Sequence, residues 1–239
     1  MKYLILSNVI LICSLAGCTS IKPRNLGPVP PPPSASYQLP TANCRLPTFF
    51  TDPSFQKALF KASMDIRDYH LTGLVFMKKI LDTRYGIRDT GYGMRDLGSC
   101  VYRVVFSNEL GMTFFDFEIS ADSMQVIYCF EPMNKKPMLK ILGTNFRLLL
   151  GTHMTEEPCL WFFQRETGNL VGKDKSDHFK RWSTFSPAGD TLYSVACKST
   201  FADATRISFT QYNLGFPGKI RIENPFVKLK LSLTLLSLN

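Results

Sequence analysis

From Val227 to Leu238 the chain alternates with a period of two. Val227, Leu229, Leu231, Leu233 and Leu235 lie on one side, and Lys228, Lys230, Ser232 and Thr234 on the other. Successive side chains of extended backbone point to opposite faces, so this is the pattern of a strand with one buried face. The pattern recurs. Tyr102, Val104 and Phe106 oppose Arg103, and Phe115, Phe117 and Ile119 oppose Asp116 and Glu118. Such faces must be gathered over one core, which predicts a mainly β, antiparallel architecture. Composition agrees: the 239 residues are 45% hydrophobic, 20% charged and 13% aromatic, with 19 Phe. That is too apolar for a disordered chain and long enough for a sizeable core. A net charge of +9 favours anionic surroundings such as phospholipid headgroups, nucleic acid or acidic polymers, without choosing among them.

Further strands are expected over His70 to Ile80, Cys100 to Ser107, Met112 to Ile119, Met124 to Phe130, Leu160 to Arg165, His178 to Thr184, Thr191 to Lys198, Thr205 to Tyr212 and Lys219 to Glu223. Asn108 to Gly111, Gly168, Pro187 to Gly189 and Asn224-Pro225 punctuate them. Two segments read as helices. Asp52-Pro53 and the following SFQKALFKASMDI offer a cap, a first-turn proline and an apolar stripe of Phe55, Leu59 and Met64. Lys135 to Leu150 repeats Met138, Ile141, Leu142, Phe146, Leu149 and Leu150 at helical spacing. Between the first two strands, Asp82 to Arg88 is repeated at once as Asp89 to Arg95. Seven residues are too few for a solenoid unit, so a duplicated turn is expected. A basic-aromatic loop built from Tyr85, Tyr92, Arg84, Arg88 and Arg95 is the alternative.

The first twenty residues carry an address. Lys2 precedes an apolar run from Tyr3 to Ala16, interrupted only by Ser7, Asn8 and Ser14. The run is shorter than the ~20 residues that span a bilayer and fits the core of a secretory signal. Leu15-Ala16-Gly17-Cys18 closes it and resembles the lipobox of bacterial lipoproteins. The resemblance implies cleavage before Cys18, removing residues 1–17, and acylation of Cys18. Several acyl chains anchor firmly where one would be marginal. Residue 19 is Thr rather than Asp, so nothing favours retention at an inner membrane, and an outer-membrane position facing the periplasm is expected. Residues 18–51 follow as a tether. Pro23, Pro28, Pro30 to Pro33 and Pro40 favour extended polyproline II. The folded unit is then 52–239, with the repeat as an insertion over 82–98.

Five cysteines remain after the signal and the anchor: Cys44, Cys100, Cys129, Cys159 and Cys197. The number is odd, so at least one stays unpaired, and none are spaced as CxxC. His70, His153 and His178 are scattered, and no metal or other cofactor is expected. The chain has no GxGxxG, GxxxxGK[ST], HExxH or GxSxG motif. Asp116 and Glu118 share a strand face and could pose as paired carboxylates, but on an outward face they fit solvated partners of Arg or Lys. His178 to Trp182 could form a basic-aromatic nucleic-acid patch, which the export signal argues against. A non-enzymatic monomer with no nucleic-acid partner is expected.

The strings HLTGLVFMKK, YRVVFSNELGMTFFDFEI, NFRLLL and PGKIRIEN, in a secreted lipoprotein ordered helix, strands, helix, strands, resemble the LolA/LolB-like carriers and receptors, over roughly Asp52 to Leu238. The resemblance implies an open, strongly curved antiparallel half-barrel covered by two or three helices, with an apolar cavity for acyl chains of lipoproteins in transit. A LolB-type receptor also carries an apolar residue on a loop after its third strand. On the strand count above, that loop is Ser120 to Ser123, which is polar.

An apolar cavity needs no directional chemistry, since each buried methylene contributes ~0.8 kcal/mol. Its expected wall is Leu74, Phe76, Val104, Phe106, Phe115, Phe117, Leu229, Leu231 and Leu233. Leu74 and Phe76 are opposed by Val75 and Met77, which are also apolar. The expected function is a membrane-anchored lipoprotein that binds acyl chains of lipids or lipoproteins and serves in lipoprotein localisation. The alternative is an envelope lipoprotein with a closed core whose surface binds another protein or a glycan.

Overall fold

The computed structural model describes residues 26–28, 49–50, 52, 54–81, 100–121, 123–152, 160–175, 179–199 and 204–239. Cys18, most of the tether, the 82–98 insertion, Cys44, Cys159 and His178 lie outside them. The strands are β1 (Leu26–Pro28), β2 (Lys57–Ile66), β3 (Tyr69–Leu81), β4 (Cys100–Ser107), β5 (Thr113–Ile119), β6 (Met124–Cys129), β7 (Leu160–Gln164), β8 (Leu170–Lys175), β9 (Phe179–Phe185), β10 (Leu192–Ser199), β11 (Ala204–Asn213), β12 (Phe216–Asn224) and β13 (Leu229–Leu238). One helix, α1 (Lys136–Leu150), stands between β6 and β7, and two 3-10 turns cover Glu131–Met133 and Pro225–Val227.

All thirteen strands belong to one sheet in the order β1-β7-β8-β9-β10-β11-β12-β13-β2-β3-β4-β5-β6, open at β1 and β6. Every pairing is antiparallel. This corrects the expected half-barrel covered by two or three helices: among the described residues there is a single α-helix. Where a helix is expected over 52–66, Lys57–Ile66 forms strand β2. Its sequence KALFKASMDI satisfies both periods, but Ala58, Phe60, Ala62, Met64 and Ile66 are the buried set, which is period two. Pairing with β13 on one side and β3 on the other satisfies its backbone and overrides the helical stripe.

The sheet curls around α1. Within the helix, Phe146 meets Phe115 of β5 with ring centroids 5.6 Å apart. The next residue back, Asn145, accepts a 2.7 Å hydrogen bond from Thr205 of β11. Those strands are six positions apart in the sheet, about 29 Å if it were flat. One helix touches both only if the sheet wraps it. Met138, Ile141, Leu142, Phe146, Leu149 and Leu150 form the buried side of α1, as their spacing predicts. Gly151, at φ 67°, ends the helix in the left-handed conformation glycine adopts without penalty.

The folded unit begins earlier than residue 52. Phe50 is fully buried against Phe55 and Phe216, and its carbonyl accepts a 2.7 Å bond from the Tyr102 hydroxyl. Within the expected tether, Leu26–Pro28 pairs with β7 as an edge strand, where proline is tolerated.

Candidate functional site

Seven of the nine expected wall residues point inward together. Val104, Phe106, Phe115, Phe117, Leu229, Leu231 and Leu233 are each at most 1% exposed. Phe106 meets Phe115 at 5.5 Å, and Phe115 stacks on Phe117 at 4.6 Å. Phe146 of α1 packs edge-on against Phe115. Leu74 and Phe76 are elsewhere. Register places Val75 opposite Phe106 and Met77 opposite Val104, so Val75 and Met77 complete the inner rows, both fully buried. Leu74 and Phe76 pair with Ser107 and Val105 on the outer face, where they are half-buried.

The inner face is thus apolar and covered by α1, whose approach is close at one point. A Cβ on Gly143 would lie 3.6 Å from the Cβ of Met124 and 3.0 Å from its sulfur. Glycine there lets the helix backbone settle against edge strand β6.

Of the polar residues that sequence reasoning singled out, Asp116 and Arg181 are buried and ion-paired. Asp116 accepts from two of the Arg103 guanidinium nitrogens, Nε at 3.0 Å and Nη2 at 2.7 Å. Arg181 and Trp182 are buried within the sheet, not on a solvated patch, and Arg181 donates Nε to Asp174 Oδ2 at 2.7 Å and Nη2 to the same oxygen. Cys100 and Cys129 are free thiols, and burial pushes the Cys129 thiol up to about 11. Among the described residues no three His, Cys, Asp or Glu side chains converge as a metal site would require.

Sequence reasoning missed two features. One is a cleft of about 770 Å³ at the end of the curled sheet where the β2–β3 and β12–β13 turns meet β11. Charged residues cross it in register: Arg206 opposite Glu223, Glu223 opposite Lys230, Lys230 opposite Asp65, and Asp65 opposite His70. Buried Thr205, Asn224 and Leu229 also line it. Asn224 donates to the Thr205 hydroxyl at 3.1 Å, and Thr205 donates on to Asn145, so the cleft lining is hydrogen-bonded to α1. No local motif announces such a place, because three separate segments, 65–70, 204–206 and 223–230, supply it.

The other is Leu110, 94% exposed on the turn between β4 and β5. Because residues 57–66 form a strand, β4 is the third strand counted from residue 57, and Asn108 to Gly111 is the loop after it. The loop at Ser120 to Ser123, tied by a 3.0 Å backbone bond, follows the fourth.

No protein-family model and no curated protein matches the chain. Among solved structures it is similar to a DUF1329 family protein from Desulfovibrio piger, at 9% identity and a TM-score of 0.43, covering 78% of this chain and 86% of that one. It is also similar to a candidate outer membrane lipoprotein-sorting protein domain from Vibrio parahaemolyticus, at 11% identity and a TM-score of 0.39, covering 79% and 86%.

Proposed function

We propose that this chain is a non-enzymatic envelope lipoprotein, anchored through Cys18, that holds acyl chains of lipids or lipoproteins between the inner face of its sheet and α1. The observation that carries the reading is the continuous apolar face under a single amphipathic helix. A guest chain there would take the place of α1 side chains and regain by its own burial what they lose, at ~0.8 kcal/mol per methylene. The lipobox supplies the address, and exposed Leu110 supports delivery to a membrane, an outer membrane on the reading of Thr19.

The test locks the helix. Met124→Cys with Gly143→Cys places two thiols at a Cβ separation of 3.6 Å, within the range a disulfide adopts. Full-length protein in detergent is titrated with an uncharged palmitoylated peptide, with the engineered bridge confirmed by peptide mapping. The reduced variant is expected to bind as wild type does, and the oxidised one to lose binding. Failure of the reduced and wild-type proteins to bind at micromolar concentration overturns the reading. The second reading, a closed core whose surface engages another envelope component, then stands, favoured by the complete burial of the seven inner residues.

A further inference from the structure

We propose that the cleft at the β2–β3 and β12–β13 end is a binding site for a phosphoryl oxyanion. Its charges are not balanced. Asp65 is engaged by His70 at 2.5 Å, and Glu223 by Arg221, which lies outside the cleft, at 2.8 Å. Arg67, Arg206, Lys228 and Lys230 have no ion pair with any described residue, and Asp68 is the lining carboxylate left without one. The lining therefore carries four cations, none of them in an ion pair with a described residue, against the three carboxylates Asp65, Asp68 and Glu223, an excess of positive charge across a single concavity. Guanidinium groups grip phosphoryl oxygens in a fork and ammonium groups add point charge, so this set suits a phosphate better than a neutral or cationic guest.

Backbone geometry points the same way. Arg67 and Lys228 hold φ of 52° and 53°, the left-handed region that costs a side-chain-bearing residue. Glycine or asparagine would suit either turn better. Two adjacent hairpins each carry instead a cation at the strained position, and both cations line the same cleft. Strain of this kind is retained where the side chain is used.

Two sources could bring the phosphoryl group, a lipid headgroup or free phosphate. Phe226, 63% exposed beside the cleft-lining Pro225, and Leu229, which lines both the cleft and the apolar interior, fit a headgroup with its chains nearby. The site does not depend on acyl binding, because the cations are outside the covered face and the helix-locking experiment leaves them untouched.

The test uses full-length protein in a neutral detergent, titrated calorimetrically at low salt with inorganic phosphate and with dihexanoyl phosphatidylglycerol. At least one is expected to bind, more weakly as salt is raised. Arg67→Gly with Lys228→Gly removes two cations while relieving two strained turns. Binding should fall about tenfold or more while the melting temperature holds or rises. Should that variant melt lower than wild type, Arg206→Gln with Lys230→Gln supplies the same comparison from strand positions. Asp68→Asn should tighten binding. A phosphatidylglycerol affinity about tenfold above that of phosphate identifies the lipid as the source, and equal affinities identify the free anion. The proposal is overturned if neither probe binds below millimolar concentration, or if the cation-depleted variant binds as tightly as wild type.

Discussion

Arg181 sits inside the sheet with its guanidinium on the carboxylate of Asp174 in the neighbouring strand, both side chains shielded from water. Desolvating two charges is unfavourable, and their contact offsets this only while both are present. Asp174→Ala removes the carboxylate and leaves a buried cation without it. A loss of about 3–5 kcal/mol in stability is expected, read by denaturant unfolding. A loss below about 1 kcal/mol would mean that the pair is reached by water. The arrangement was half visible beforehand. His178 to Trp182 stood out as basic and aromatic, but nothing local shows that Asp174, seven residues away, lies directly across the ladder. The same limit explains Leu74 and Phe76. In a strand whose two faces are both apolar, alternation gives no vote, and the register against β4 decides.

At the scale of elements, the strands with one clean face were legible to within a few residues, from Cys100–Ser107 through Leu229–Leu238. So was α1, because its stripe recurs over four turns. Strand β8 escaped notice: LVGKDK offers two strand formers and a glycine, and its pairing with β7 and β9 supplies the rest. The cleft was illegible for a different reason. Each of its hairpin ends reads as ordinary solvated charge, and the site exists only once β2, β11, β12 and β13 are side by side. The β3–β4 connection carries an expected outcome. Leu81 pairs with Cys100, so the hairpin is closed before the repeat begins. Loop length then enters stability only logarithmically, at a few tenths of a kcal/mol for seven residues. Deleting 89–95 should leave the melting temperature within about 2 °C of wild type. A large fall would show that the duplicated segment packs against the sheet.

For the molecule as a whole, two buried acids and one half-buried one act together at high pH. Burial pushes the Cys129 thiol from 9.0 up to about 11, and burial is also what raises Tyr102 and Tyr212 above the ordinary tyrosine value of 10.0. Each is neutral when protonated, and each has its folded pKa above its unfolded one. Their stabilisation is therefore complete below the unfolded values and is lost as pH rises through the folded ones. The melting temperature should hold up to about pH 9 and fall beyond it. Cys129→Ala should remove the earliest part of that fall, between the thiol's ordinary value of 9.0 and about 11. A flat profile to pH 11 in wild type would mean that these groups stay wet.

Strand β13 lies between β12 and β2, and Asn239 exchanges backbone hydrogen bonds with Lys57. The seam at the middle of the sheet is thus made by the first long strand and the last. A chain emerging from its N-terminus has to keep β2 without one neighbour until β13 has been made. Long-range closure of this kind is slow and leaves an apolar edge available to other chains meanwhile. The step that joins the two halves also ends that exposure, so Leu229–Leu238 acts as the fastening of the sheet, and its pairing sets how long a newly made chain needs shelter.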